Sequence, residues 1–140
     1  MTSLRAERER SMTYNHTYDE RGRAIEYDPR LAAQEAVVVL RRAADLIGAP
    51  GVWTQGAEAR DARGEPVDPC DPAARFWCGW GGLQRAAGNR SGPAFAVSVR
   101  ALLGALNDRP LSLYNDDDGR TALDVAQLMR ATASRLEMVP

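Results

Sequence analysis

The sequence predicts a mainly α-helical protein: a compact bundle of about four helices, with a small β-hairpin inserted between the first and the second. Three observations predict it. In four separate segments apolar residues recur at three- and four-residue spacing, which puts one face of a helix into a core. Those segments open with helix-start chemistry, either a D-P pair, a proline or a T-x-x-D box. The connections between them are mostly short, which favours antiparallel neighbours.

The first helix begins at D-P-R, with Asp28 as N-cap and Pro29 at the first helical position. Ala33, Ala36, Val37, Leu40, Ala44 and Ile47 form its apolar face, and Gly48 followed by Pro50-Gly51 ends it. Asp71-Pro72 predicts a second start of the same kind. Ala73, Phe76, Trp77, Trp80, Leu83 and Ala87 make its stripe, and Gly88-Asn89 its end. Gly79, Gly81 and Gly82 then fall inside that helix, each costing roughly 1 kcal/mol against Ala. Either close approach of a neighbouring helix or a ligand pressed on exposed backbone would account for them.

Pro93 opens the third helix, with Phe95, Val99, Leu102, Leu103 and Leu106 inward and an end near Asn107 to Pro110. Thr121 opens the fourth, with Asp124 completing a capping box and Ala122, Val125, Ala126, Met129, Ala133 and Leu136 on the buried side. Between the first two helices, W-T-Q-G-A-E-A-R-D-A-R-G lacks helical periodicity. Asp61 and Gly64 bound a good turn tetrapeptide, and Glu65, Pro66 and Val67 supply a returning strand. Such a hairpin is not stable alone and must pack on the bundle, with Trp53 as the anchor. Residues 1–27 are polar and charge-mixed and read as a flexible arm; residues 28–140 read as a single helical domain.

Composition narrows the chemistry. All 18 basic residues are Arg, the mark of a GC-rich genome such as that of an actinobacterium or its phages. The formal net charge is −1 and acids interleave with bases, which argues against a nucleic-acid surface. No run approaches about 18 apolar residues and no signal peptide opens the chain, so a cytoplasmic protein without a membrane segment is expected. Cys70 and Cys78 are too few for a disulfide framework. With His16 the one histidine, neither a Cys/His zinc site nor a Ser-His-Asp set can be completed, and no metal or cofactor is expected. The absence of Lys rules out a phosphate-binding G-x-x-x-x-G-K-[ST] loop.

Two polar stretches remain. Arg60 and Asp61 are adjacent and would face opposite sides of a strand, so Asp61 is expected to open the turn while Arg60 and Arg63 are solvated. Y-N-D-D-D-G-R-T holds the densest acids of the chain, yet the spacing fails the EF-hand pattern and the acids precede a helix start, where negative charge is favoured. A pocket for a small anionic, nucleotide-like molecule could use Arg85 and Arg120 for phosphate, Trp53 or Trp77 for stacking and Gln55 for base or sugar.

W-T-Q-G-A-E-A-R-D-A-R-G-E-P-V, D-P-A-A-R-F-W-C-G-W-G-G-L-Q-R-A and Y-N-D…G-R-T-A-L-D-V together resemble a family of small proteins from actinobacteria, other bacteria and phages, classed as a domain of unknown function. The resemblance covers Leu31 to Leu136. It rests on Trp53, Gln55, Gly56, Asp61, Gly64, Trp77, Cys78, Gly81, Arg85, Asn115, Asp116, Arg120, Thr121 and Asp124, with Gly82 and Tyr114 standing where Ala and Trp are expected. It implies a shared fold and brings no activity or cofactor. It also suggests one architecture in which Asn115 and Asp116 receive hydrogen bonds from the hairpin or from Arg85. The resulting expectation is a binding or protein-interaction module without catalysis; the alternative is a ligand-binding protein or enzyme with a pocket between the hairpin and the second helix.

Overall fold

The computed structural model describes Arg5, Arg21 and residues 28–88, 90 and 92–138. Apart from Arg5 and Arg21, the expected N-terminal arm lies outside the described residues. Among the described residues the elements run α1 (Pro29–Gly48), β1 (Ala59–Arg60), β2 (Phe76–Trp77), α2 (Gly79–Ala87), α3 (Pro93–Ala105), α4 (Leu111–Asn115) and α5 (Ala122–Glu137). The fold is mainly α, with a two-stranded antiparallel hairpin between the first two helices. No described helix is long and apolar enough to cross a membrane.

Helix α1 is the central element, packing most extensively on α5 and also on α2 and α3. It starts as its sequence dictates: the Asp28 side chain accepts from the Arg30 amide and Pro29 occupies the first turn. Leu40, Ala43, Ala44 and Ile47 are fully enclosed, and the core continues through Leu83, Val125 and Met129. Trp80 of α2 meets Phe95 of α3 with ring centroids 5.4 Å apart and tilted by 43°, a favourable aromatic arrangement. Helix α5 opens with the expected box: Asp124 N–H donates to Thr121 Oγ1 at 3.2 Å, and Thr121 N–H to Asp124 Oδ2 at 3.0 Å.

Three local expectations are corrected. The second helix begins at Gly79, not after Pro72. Asp71 closes only a single turn, accepting from Ala73 N–H at 2.8 Å, after which Phe76 and Trp77 are extended. The amides of Arg75 and Trp77 are already committed to a ladder, with Arg75 N–H on Arg60 O at 2.8 Å and Trp77 N–H on Val52 O at 3.0 Å. Arg60, expected in solvent, is partly buried and donates to Thr54 Oγ1, Gln55 O and Gly64 O. Finally, α4 is a short helix between the predicted third helix and the one that opens at Thr121, running from buried Leu111 to buried Asn115.

The hairpin differs in pairing, not in place. Its turn closes as predicted, with Gly64 N–H on Asp61 O at 3.0 Å and Asp61 Oδ1 accepting from Arg63 and Glu65 amides. The return at Pro66 forms only a single bridge to Arg60, and the paired strand is β2, with Ala59 opposite Trp77 and Arg60 opposite Phe76. On its other edge Trp77 bridges Trp53 in parallel.

Gly79, Gly81 and Gly82 form the first turn of α2, and packing explains all three. A Cβ on Gly79 would lie 2.7 Å from Val125 Cγ1 of α5, and one on Gly82 2.7 Å from Ile47 Cγ2 of α1. One on Gly81 would lie 1.8 Å from the backbone oxygen of Glu58. Two helices and the hairpin therefore approach one helix start, which only glycine permits.

Candidate functional site

The two polar stretches singled out in the sequence meet at Asn115. This residue ends α4 and is fully buried. Its Oδ1 accepts from Trp53 Nε1 and from Gly79 N–H, each at 2.7 Å. Its Nδ2 donates to Thr54 O at 3.1 Å and to Asp116 Oδ1 at 3.0 Å. All four hydrogen-bonding capacities of the amide are used, which a buried Asn needs if it is not to destabilise its surroundings. Neighbouring bonds repeat the link: Gln55 Nε2 donates to Asn115 O at 2.9 Å and Asp117 O at 3.1 Å, and Gly56 N–H to Asp116 Oδ1 at 3.1 Å. The expected tie between Asn115, Asp116 and the hairpin segment is present. The alternative donor, Arg85, is engaged elsewhere.

Arg85 donates to the carbonyls of Pro69 at 3.2 Å and Asp71 at 3.1 Å, with its guanidinium 5.5 Å from the centre of the Trp77 ring. The Trp77 indole also donates to Pro69 O, at 2.9 Å. Arg120 lies 3.7 Å above the Tyr114 ring and donates to Tyr114 O at 3.0 Å and Asp117 Oδ2 at 2.9 Å. The two guanidinium groups thus have different partners, and Trp53, Gln55, Trp77, Arg85 and Arg120 each donate at least one side-chain hydrogen bond within the protein.

The acids are similarly engaged. Asp117 is clamped by Arg109 at 2.5 and 2.6 Å and by Arg120, and these guanidinium groups, Arg109 first, hold its pKa down to about 2. Asp124 is held below the usual carboxylate range, chiefly by the Thr121 amide. Among the described residues, no group of three or more His, Cys, Asp or Glu side chains is gathered as a metal ion would require.

Two contributors carry no local sequence signal. Arg5, from the arm, donates to Asp116 Oδ2 at 2.7 Å and to Cys78 Sγ at 3.3 Å. Cys78 is the N-cap of α2, with Sγ accepting from Gly81 N–H at 3.3 Å. Enclosure raises the thiol pKa, and the nearby Arg5 charge only partly opposes this. Arg109 is the other, since only the turn after α3 brings it to Asp117.

A second feature lies on the opposite relation of elements, where α1 runs beside the end of α5. A cleft of about 940 Å³ opens there, with Ala33, Val37, Val38 and Leu136 as apolar lining and Asp28, Arg30, Arg41 and Glu137 as charged lining. Arg41 and Glu137 form an ion pair linking the two helices. Leu31 and Val38 stand 52% and 46% exposed on α1, although both are large apolar residues.

Fold and joint together define a small helical domain whose inserted hairpin is fastened through one buried amide. The chain belongs to the family of unknown function DUF6197, whose model matches residues 32–135. No curated protein and no solved structure matches the chain.

Proposed function

We propose that this protein is a non-catalytic protein-interaction module whose binding face is the α1–α5 cleft. The observation that carries the reading is that cleft, lined by apolar residues and by charges of both signs, with Val38 exposed within it. Water contact with large apolar groups is unfavourable, and covering them is the usual source of association energy. The chemistry fits a partner helix carrying an apolar stripe flanked by mixed charge. The polar residues Trp53, Gln55, Asn115 and Asp116 support the same reading, because their hydrogen bonds fasten the hairpin segment to the helices. The exclusively Arg basic set further supports an origin in an actinobacterium or one of its phages.

The test is retention of a partner from extracts of the native host. The unaltered chain should retain one that Val38→Glu loses and that Arg63→Glu, on the distant turn, keeps. Retention of the same partner by Val38→Glu would refute the assignment of this face.

A further inference from the structure

The Arg5 contact has an unequal ownership. Asp116, Cys78, Gly56 and Asn115 all lie within the residues matched by the family model, whereas Arg5 lies outside them. The Asp116 carboxylate is held ready by the domain itself: Gly56 N–H at 3.1 Å and Asn115 Nδ2 at 3.0 Å fix Oδ1, and Oδ2 faces Arg5 Nη1 at 2.7 Å. The second nitrogen, Nη2, reaches the Cys78 sulfur at 3.3 Å. The Arg5 side chain is left 18% exposed, and Cys78 beneath it is fully buried.

A planar fork meeting two acceptors at once suits a guanidinium and not an ammonium, which offers a single point of charge. The electrostatics also identify Asp116 as the decisive partner. Cys78 caps the start of α2, where the helix dipole disfavours a cation, so the fixed carboxylate must supply the attraction.

We propose that Asp116 and Cys78 form a guanidinium-binding site of the domain, filled in cis by Arg5 and open to an arginine-like group once Arg5 leaves. Arg5 then acts as a plug, and the accessibility of the Cys78 thiol reports its departure. This inference is independent of the α1–α5 cleft.

The experiment measures alkylation of Cys78 by iodoacetamide in the full chain carrying Cys70→Ser, so that one thiol reports. Arg5→Ala should raise the rate at least tenfold. Millimolar methylguanidinium should bring it back toward the starting rate, methylammonium should not, and adding Asp116→Asn should abolish the protection. Circular dichroism checks that the variants remain folded, and Arg5→Lys, which keeps the charge but not the fork, should also label faster than the parent. Comparing N-acetylarginine amide with free arginine separates a polypeptide occupant from a small molecule, and protection by either supports the site. An unchanged rate in Arg5→Ala, or equal protection by methylguanidinium and methylammonium, would overturn it.

Discussion

Gly81 leaves no room for a methyl group, because the obstacle, the Glu58 carbonyl, is backbone that cannot rotate away. Gly81→Ala should therefore cost at least about 3 kcal/mol, a large part of the roughly 5–15 kcal/mol that holds a domain together. Gly104, exposed within α3 with nothing within 4 Å of an added Cβ, is the control. Gly104→Ala should stabilise by about 0.5–1 kcal/mol, and urea unfolding reads both. Asn115→Ala would leave the Trp53 indole and the Gly79 amide without their acceptor, and should cost about 2–5 kcal/mol in the same assay. The sequence showed that these residues matter more clearly than it showed why. Three glycines in a presumed helix signalled close approach, but whether backbone or ligand approached depended on Glu58, which is distant in sequence.

At the scale of elements, capping was the most legible feature, since caps are set by residues within four positions of one another. Asp28, Gly88 and the Thr121–Asp124 box all act where the sequence placed them. Thr121→Ala should lower stability by about 1 kcal/mol, measured by denaturant midpoint. The start of α2 was misplaced because Asp71-Pro72 is a genuine turn signal. What stops the helix from following is strand pairing to Val52 and Arg60, a tertiary effect absent from local pattern. The turn between α3 and α5 also carries a pH dependence. Asp117 titrates at about 2 in the folded protein against 3.8 ordinarily, so it stabilises fully above pH 4. That contribution is lost as pH falls from about 4 through about 2. Asp117→Asn should accordingly lose less stability than the parent over that window, with the difference reduced by salt.

Over the whole molecule, α1 organises the core, while the Asn115 amide fastens the hairpin segment to α2 and α4. The class of fold was legible because helical periodicity is written along the chain. The joint was only half legible: the hairpin's bond to Asn115 and Asp116 was foreseeable from two polar stretches of one architecture, whereas Arg5 was not. Its partner lies 111 residues away and the intervening sequence gives no reason to pair them. The α1–α5 cleft likewise arises from two helices distant in sequence. Trp53, Gln55, Arg85 and Arg120 bond within the fold, and the central proposal that follows is that they serve the fold and not a nucleotide. A thermal melt of the full chain against nucleotides and cyclic dinucleotides tests this most directly. A ligand at about 100 times its dissociation constant adds roughly 2.7 kcal/mol, worth several degrees in a domain of this size. The account predicts a melting temperature unchanged within about 1 °C, the scale of such a shift making a true ligand plain. A rise of several degrees that Arg120→Ala or Gln55→Ala removes would contradict it.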